Sequence, residues 1–261
     1  MNVKYFFYPL LCLLFSSCEE VIEIDLNEGD SKIVIEGGLT DQANGCKIKI
    51  SKSISFDKPN EFPTVDNASV TITDQDGNIY SLESSESGVY SNTELVGQYN
   101  KKYFLKATIE GKTYEAFSTM PDSVLLDSIQ INEMAFFGNS TKLVDLFLQD
   151  PIDQENYYKF IPYVNGKKFD NLEILDDQFT NGLPVDYSIF FQDYELVLGD
   201  SVGIEVWNID KGVYNYFNSL ADIIDGGGQT AAPANPNTNL SNGALGYFSA
   251  HAISSRGILV E

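Results

Sequence analysis

Apolar and polar residues alternate along most of this chain, and that period of two predicts strands. Between Lys32 and Met120 the stretches KIVIEGGLT, GCKIKISKSI, ASVTITD, NIYSLE and YFLKATIEGKTYEAFS alternate or run β-branched. Asp76-Gly77-Asn78 separates ASVTITD from NIYSLE, and Glu110-Gly111-Lys112 separates two further runs. Turns centred on glycine supply the positive φ that tight hairpins need. Short strands with a turn every eight to twelve residues predict a β-sandwich of immunoglobulin-like size over residues 32–120.

Met120-Pro121-Asp122 predicts a boundary, because proline stops a strand and holds its predecessor extended. The runs beyond it are longer: SVLLDSIQIN, KLVDLFLQD, NYYKFIPYVNGKKF, DYSIFFQDYELVL and DSVGIEVWNI, with Asn165-Gly166 as a further hairpin turn. One segment departs from the period of two. Ile209, Val213, Phe217, Leu220, Ala221 and Ile224 share one face at helical spacing, so a helix is predicted over residues 209–225. Asp210 is placed to cap or charge its first turn, and Gly226-Gly227-Gly228 ends it. The final LGYFSAHAISSRGILVE reads as a closing strand or strand pair. The expected fold class is mainly β: the N-terminal sandwich, then a second β-rich domain over residues 121–261, barrel- or sandwich-like, with one packed helix.

The first seventeen residues, MNVKYFFYPLLCLLFSS, differ from all of this. One positive charge at Lys4 precedes a short apolar run and two serines, the layout of an export signal. The run is too short to cross a bilayer, which takes about 20 apolar residues, and Pro9 interrupts it. Leu14-Phe15-Ser16-Ser17-Cys18 resembles the lipobox of bacterial lipoproteins, with Phe15 where that pattern prefers leucine. The resemblance implies that Cys18 is diacylated on its sulfur and becomes the mature N-terminus. Each buried CH₂ contributes about 0.8 kcal/mol, and two or more chains anchor stably where one does not. Residues 18–31, opening CEEVIEIDL, are then an acidic tether.

Composition narrows the partners. With 16 Lys and Arg against 38 Asp and Glu, the formal charge is −22, which disfavours nucleic acid and anionic lipid. The lipid anchor would then supply the contact with the membrane. The 15 Tyr and 17 Phe suit a β-rich core, and some could stack on a glycan or peptide ligand. Of three cysteines, Cys12 leaves with the signal and Cys18 is the lipid attachment point. Cys46 is left without a partner, so no disulfide framework is expected.

No catalytic, cofactor-binding or metal-binding set stands out, and the chain is not expected to be an enzyme. Asp74-Gln75-Asp76-Gly77-Asn78 looks like the start of a calcium loop, but the twelfth position is Ser85 and strands flank it, so a hairpin turn is the better reading. Asp176-Asp177 could form part of a carboxylate pair, although such clusters arise by chance among 38 acids. His251 is the only histidine, and no G-x-S-x-G elbow accompanies it. Gly226-Gly227-Gly228 lacks the Lys-Ser/Thr of a phosphate loop. The segment between Gly226 and Asn239 carries no obvious element, and long loops of this kind are often functional. Gln229, Pro233, Asn235, Pro236, Asn237 and Asn239 are therefore the candidate partner or ligand residues.

Several features fall in a fixed order: the lipobox with CEE and EIDL; KIVIEGGLT; Ala68, Val70 and Ile72 with Asp76-Gly77; Gly88-Val89-Tyr90; KTYEAFSTMP; ENYYKF; VYNYFNSL; and SNGALGYFSAHAIS. The arrangement resembles a family of Bacteroidota outer-membrane lipoproteins known as a domain of unknown function, number 4249, often encoded beside TonB-dependent transporters. The stretch NASVTITDQDGNIYSLESSESGVYS also resembles sandwich modules of carboxypeptidase-regulatory and collagen-adhesin type. The family resemblance implies an outer-membrane lipoprotein that assists such a transporter. Glu19-Glu20 resembles a short form of that phylum's surface-export signal, which points to the outer face, with a periplasmic location as the alternative. A stand-alone surface module for glycan or peptide is the second functional reading, and an acid-based hydrolase the third.

Overall fold

The computed structural model describes residues 31–55, 59, 61–136, 139–152, 154–169, 171–191, 194–226 and 235–261. The signal segment and Cys18 lie outside the described residues. Ser31–Glu261 forms one compact unit. Its elements, in chain order, are strands β1 (Ile33–Thr40), β2 (Cys46–Lys52), β3 (Ala68–Asp74), β4 (Ile79–Glu86), β5 (Val89–Asn92), β6 (Lys102–Ile109) and β7 (Lys112–Thr119). Then come β8 (Leu126–Phe136), β9 (Asn139–Gln149), β10 (Tyr157–Val164), β11 (Lys167–Lys168), β12 (Glu173–Asp176), β13 (Pro184–Ile189) and β14 (Ser201–Ile209). Helix α1 (Lys211–Asp225) and strand β15 (Leu245–Leu259) complete the chain.

The fold is mainly β and sandwich-like, as the alternation predicts. The hairpin turns form where glycine allows them. Glu110 and Gly111 have φ of 50° and 80°, and Asn165 and Gly166 have 52° and 76°, the paired positive values of a turn that matches strand twist. At the third turn Asp74 accepts hydrogen bonds from Asp76 N at 3.0 Å, Asn78 N at 2.9 Å and Asn78 Nδ2 at 2.8 Å. That carboxylate is committed to closing the β3–β4 hairpin.

Two sandwiches share one long strand. In the first, Ile35, Leu39, Ile48 and Ile50 from β1 and β2 pack against Val70, Ile72, Leu105 and Ala107 from β3 and β6. In the second, Tyr158, Phe160, Val202 and Ile204 from β10 and β14 pack against Leu126, Val144, Leu146 and Val185 of the three-stranded sheet β13-β9-β8. Strand β15 runs through both. Its residues 245–251 pair parallel with β1, and residues 252–259 pair antiparallel with β14, so one continuous sheet joins the two halves. Phe248 and Ala250 enter the first core, and Ile258 packs against the second, with Val260 just beyond the strand inside it. Leu240, Ala244, Phe248 and Ala250 thus pack in the first core, while Tyr247 on the opposite face packs against Tyr216 and Phe217.

The parallel pair β1–β15 is unusually close, and this explains two glycines. A Cβ on Gly38 would lie 1.8 Å from the Ser249 carbonyl oxygen, and one on Gly246 would lie 2.1 Å from that of Ile35. Any larger residue would push the strands apart. Helix α1 begins one residue after Asp210, whose carboxylate accepts from Val213 N at 2.9 Å. Its apolar face buries Val213, Tyr216 and Phe217 against Ile209, Trp207, Tyr157 and Tyr247.

Candidate functional site

Beside the helix, the sheet face turned away from the first core is not fully covered. Side chains alternate faces along a strand, so while Ile35 and Leu39 of β1 enter the core, Glu36, Gly38 and Thr40 face outward. On β2 the same rule buries Ile48 and Ile50 and presents Lys47 and Lys49. On β15 it presents Tyr247, Ser249 and His251, in register with Glu36, Gly38 and Thr40. Trp207 of β14 and Lys168 of β11 complete a cleft of about 470 Å³. Gly38 gives it a floor of bare backbone between the β2 lysines and the Trp207–His251 wall.

That wall is a stacked pair. The indole of Trp207 and the imidazole of His251 have ring centroids 4.1 Å apart and planes 25° apart. His251 is 3% exposed. Its Nδ1 lies 2.9 Å from Ser249 Oγ, and its Nε2 has no hydrogen-bond partner among the described residues. Burial, with the Lys159 ammonium adding to it, pushes its pKa from the usual 6.5 down to about 3. The imidazole is thus neutral at physiological pH. Lys159 itself sits with Nζ 3.4 Å from the Phe217 ring centroid and 5.5 Å from that of Trp207, a cation held against two aromatic faces.

The cleft is a local exception in charge. Lys47, Lys49 and Lys168 line it with Glu36 as the one acid, in a chain where acids outnumber bases by more than two to one. None of the three lysines makes an ion pair among the described residues. Reading KIKIS as an alternating strand accounts for Lys47 and Lys49. What that reading missed is that Lys168, Trp207 and His251 arrive opposite them. The only usable sequence signals were the chain's single tryptophan and single histidine, both on strands.

The Ser249–His251 contact has the atoms of a nucleophile and a base but not their setting. Ser249 is fully buried, the imidazole has lost its basicity, and no carboxylate is bonded to its other nitrogen. Asp176 and Asp177 are committed elsewhere: Asp177 accepts from Asn156 N at 2.9 Å and Asp176 from Tyr214 Oη at 3.1 Å. Among the described residues no three His, Cys, Asp or Glu side chains cluster as a metal site. Cys46 lies in the first core with no exposed surface, and burial raises its thiol to about 11.

Of the loop residues named from sequence, Gln229 and Pro233 lie outside the described residues. Asn235 and Pro236 are at least partly exposed, and Asn237 N donates to Ser219 Oγ at 2.8 Å, tying the loop to the helix. Asn239 has a structural task. Its Nδ2 donates to Phe248 O at 2.7 Å and Phe117 O at 3.2 Å, and its Oδ1 accepts from Phe248 N at 3.0 Å. Together with Ser241 and Asn242, which bond to Glu115 and Thr113, it covers the free edge of β7. The same loop end borders a second groove of about 630 Å³, where Phe104 and Phe117 are 42% and 55% exposed. None of the described loop residues lines the lysine cleft.

No curated protein matches the sequence. Among solved structures, a segment of two fibronectin type III domains from chicken tenascin is 10% identical, covering 69% of this chain and 91% of that one, at a TM-score of 0.23. The chicken interferon gamma receptor alpha chain is 9% identical, covering 68% and 88%, at a TM-score of 0.21. Overlap that low carries no functional weight. The model of the family described as a domain of unknown function, DUF4249, matches residues 19–256, and the chain belongs to that family.

Proposed function

We propose that this protein is a lipid-anchored binding protein of the outer envelope, non-catalytic, that assists a TonB-dependent uptake system and holds its ligand in the Lys47–Lys49–Lys168 cleft. The cleft carries this reading: three lysines that make no ion pair among the described residues, and an aromatic wall, converge on bare backbone in an otherwise acidic chain. Its volume falls in the range of small-ligand pockets. The lipobox and acidic tether support anchoring at Cys18 and an outward-facing position, and the family resemblance supports the link to a transporter. The burial of Ser249 and the neutrality of His251 favour binding over catalysis.

Purification of the full-length chain from gently solubilised membranes should bring down a transporter or another envelope protein. Repeated isolation without any such partner would remove the accessory role. Cys18→Ser should abolish incorporation of radiolabelled palmitate, and persistent labelling would sink the anchoring claim. A stand-alone surface module for glycan or peptide is the second reading, favoured by exposed Phe104 and Phe117 beside the second groove. In that case ligand binds without any transporter.

A further inference from the structure

We infer that the cleft takes a small anion, a ligand whose carboxylate or phosphate group sits among Lys47, Lys49 and Lys168. This rests on the reading of the cleft as the ligand site and adds the chemistry of what enters it. Lys47 and Lys49 are two residues apart on one face of β2, and Gly38 lies opposite Lys47 in the register. Because Gly38 carries no side chain, and close approach of β15 excludes one, the space beside these ammonium groups stays open.

Three lysines meet one acid here, Glu36, which lies opposite Lys49 in the register; the excess positive charge repels itself, and an anion placed among the ammonium groups relieves that repulsion. The wall opposite is Trp207, Tyr247 and neutral His251, which brings no competing charge and lowers the local dielectric. A buried polar atom without a partner costs about 1–3 kcal/mol, and His251 Nε2 at this wall has no hydrogen-bond partner among the described residues. The lysines are point charges without the planar fork of arginine, so the site selects for charge more than for one oxyanion shape. The surrounding surface selects against size. A chain of net charge −22 repels a polyanion, which leaves a small ligand of low negative charge.

Trp207 is the only tryptophan in the chain, so its fluorescence reports on this cleft alone. The full-length protein in detergent micelles is titrated with glucuronate, with inorganic phosphate and with glucose as the uncharged control. The expected result is a saturable change in emission with glucuronate, phosphate or both, and none with glucose. Glucuronate alone assigns a carboxylate ligand, phosphate alone a phosphorylated one, and both a general oxyanion site. Lys47→Ala, Lys49→Ala and Lys168→Ala should each weaken binding by about 2–5-fold, and the triple variant should abolish it. Lys142→Ala, on β9 and remote from the cleft lining, should change nothing. An unchanged denaturation midpoint shows that each variant is folded.

The inference is overturned if neither anion moves the emission, or if both still bind to a folded triple variant. Should glucose, a neutral glycan or a peptide move the emission while the anions do not, the anion fails but the cleft remains the ligand site. If nothing moves the emission and no envelope partner co-purifies, both readings fail together.

Discussion

Trp207 and His251 lie face to face, 4.1 Å apart between centroids, although 43 residues lie between them in the sequence. The stack exists because β14 and β15 pair antiparallel, with Trp207 opposite Ile253, two residues from the histidine on the same face. Burial at this wall, with the Lys159 ammonium adding to it, keeps His251 neutral, and that has a consequence for stability.

His251 has a folded pKa of about 3, against about 6.5 when unfolded. Its pKa is depressed on folding, so the unfolded chain takes up the proton first. The stability it contributes is whole above about pH 6.5 and is lost as pH falls towards 3, at about 1.4 kcal/mol per pH unit from this group. Denaturant midpoints measured from pH 7 to pH 4 should fall less steeply for His251→Gln than for the natural chain. Equal slopes would mean that His251 is not buried neutral.

Gly38→Ala and Gly77→Ala should differ sharply. A Cβ at Gly38 meets the Ser249 carbonyl oxygen at 1.8 Å, whereas one at Gly77 meets nothing within 4 Å and suffers only from its φ of 88°. The first should cost on the order of 3 kcal/mol or more, because backbone must move. The second should cost about 1–2 kcal/mol. Urea unfolding of the two variants measures the ranking, and a mild Gly38→Ala would contradict the close β1–β15 approach.

Asp210 does more than cap α1. Its carboxylate also accepts from Ser118 Oγ at 2.7 Å and Thr119 N at 2.8 Å, and Ser118 Oγ in turn accepts from Ala250 N at 2.8 Å. Loss of an ordinary cap costs about 1 kcal/mol, and leaving partly buried donors unpaired adds about 1–3 kcal/mol. Asp210→Ala should therefore destabilise by about 2–4 kcal/mol and speed hydrogen exchange at both the Val213 and Thr119 amides. Faster exchange at Val213 alone would reduce Asp210 to a simple cap.

Cys46 should be unreactive in the folded protein. Its thiol is fully buried and shifted up to about 11, so at pH 8 almost no thiolate is present or accessible. A thiol reagent should label it only after denaturant is added. Rapid labelling of the native chain would show that the first core opens readily.

Asn239→Ala should weaken the protein without touching the cleft. Removing three hydrogen bonds to Phe117 and Phe248 loosens the cover over β7, at a cost of about 1–3 kcal/mol. Trp207 emission and its response to anions should stay as they were. A changed response would connect the loop to the ligand site after all.

The elements of this fold were legible because their causes are local. Glu110-Gly111 and Asn165-Gly166 turn the chain wherever they stand, and the Ile209–Ile224 spacing makes one apolar face whatever it meets. The cleft was not legible, because its causes are distant. Lys47 and Lys49 read as the solvated side of an ordinary strand, and His251 as one residue of a closing strand. The Gly226–Asn239 loop drew attention by its length, yet its described end, Asn239, serves as a clamp.

By itself the sequence determined strand, turn and helix, the acidic surface, and the lipobox pattern around Cys18, since each depends on residues within a few positions of one another. Only the tertiary structure decided that β15 would lie parallel against β1 with its first half and antiparallel against β14 with its second. That choice depends on contacts more than 200 residues apart, on two glycines that let backbones approach, and on two cores that each claim part of one strand. It is also what carries Lys47, Lys168, Trp207 and His251 to one place.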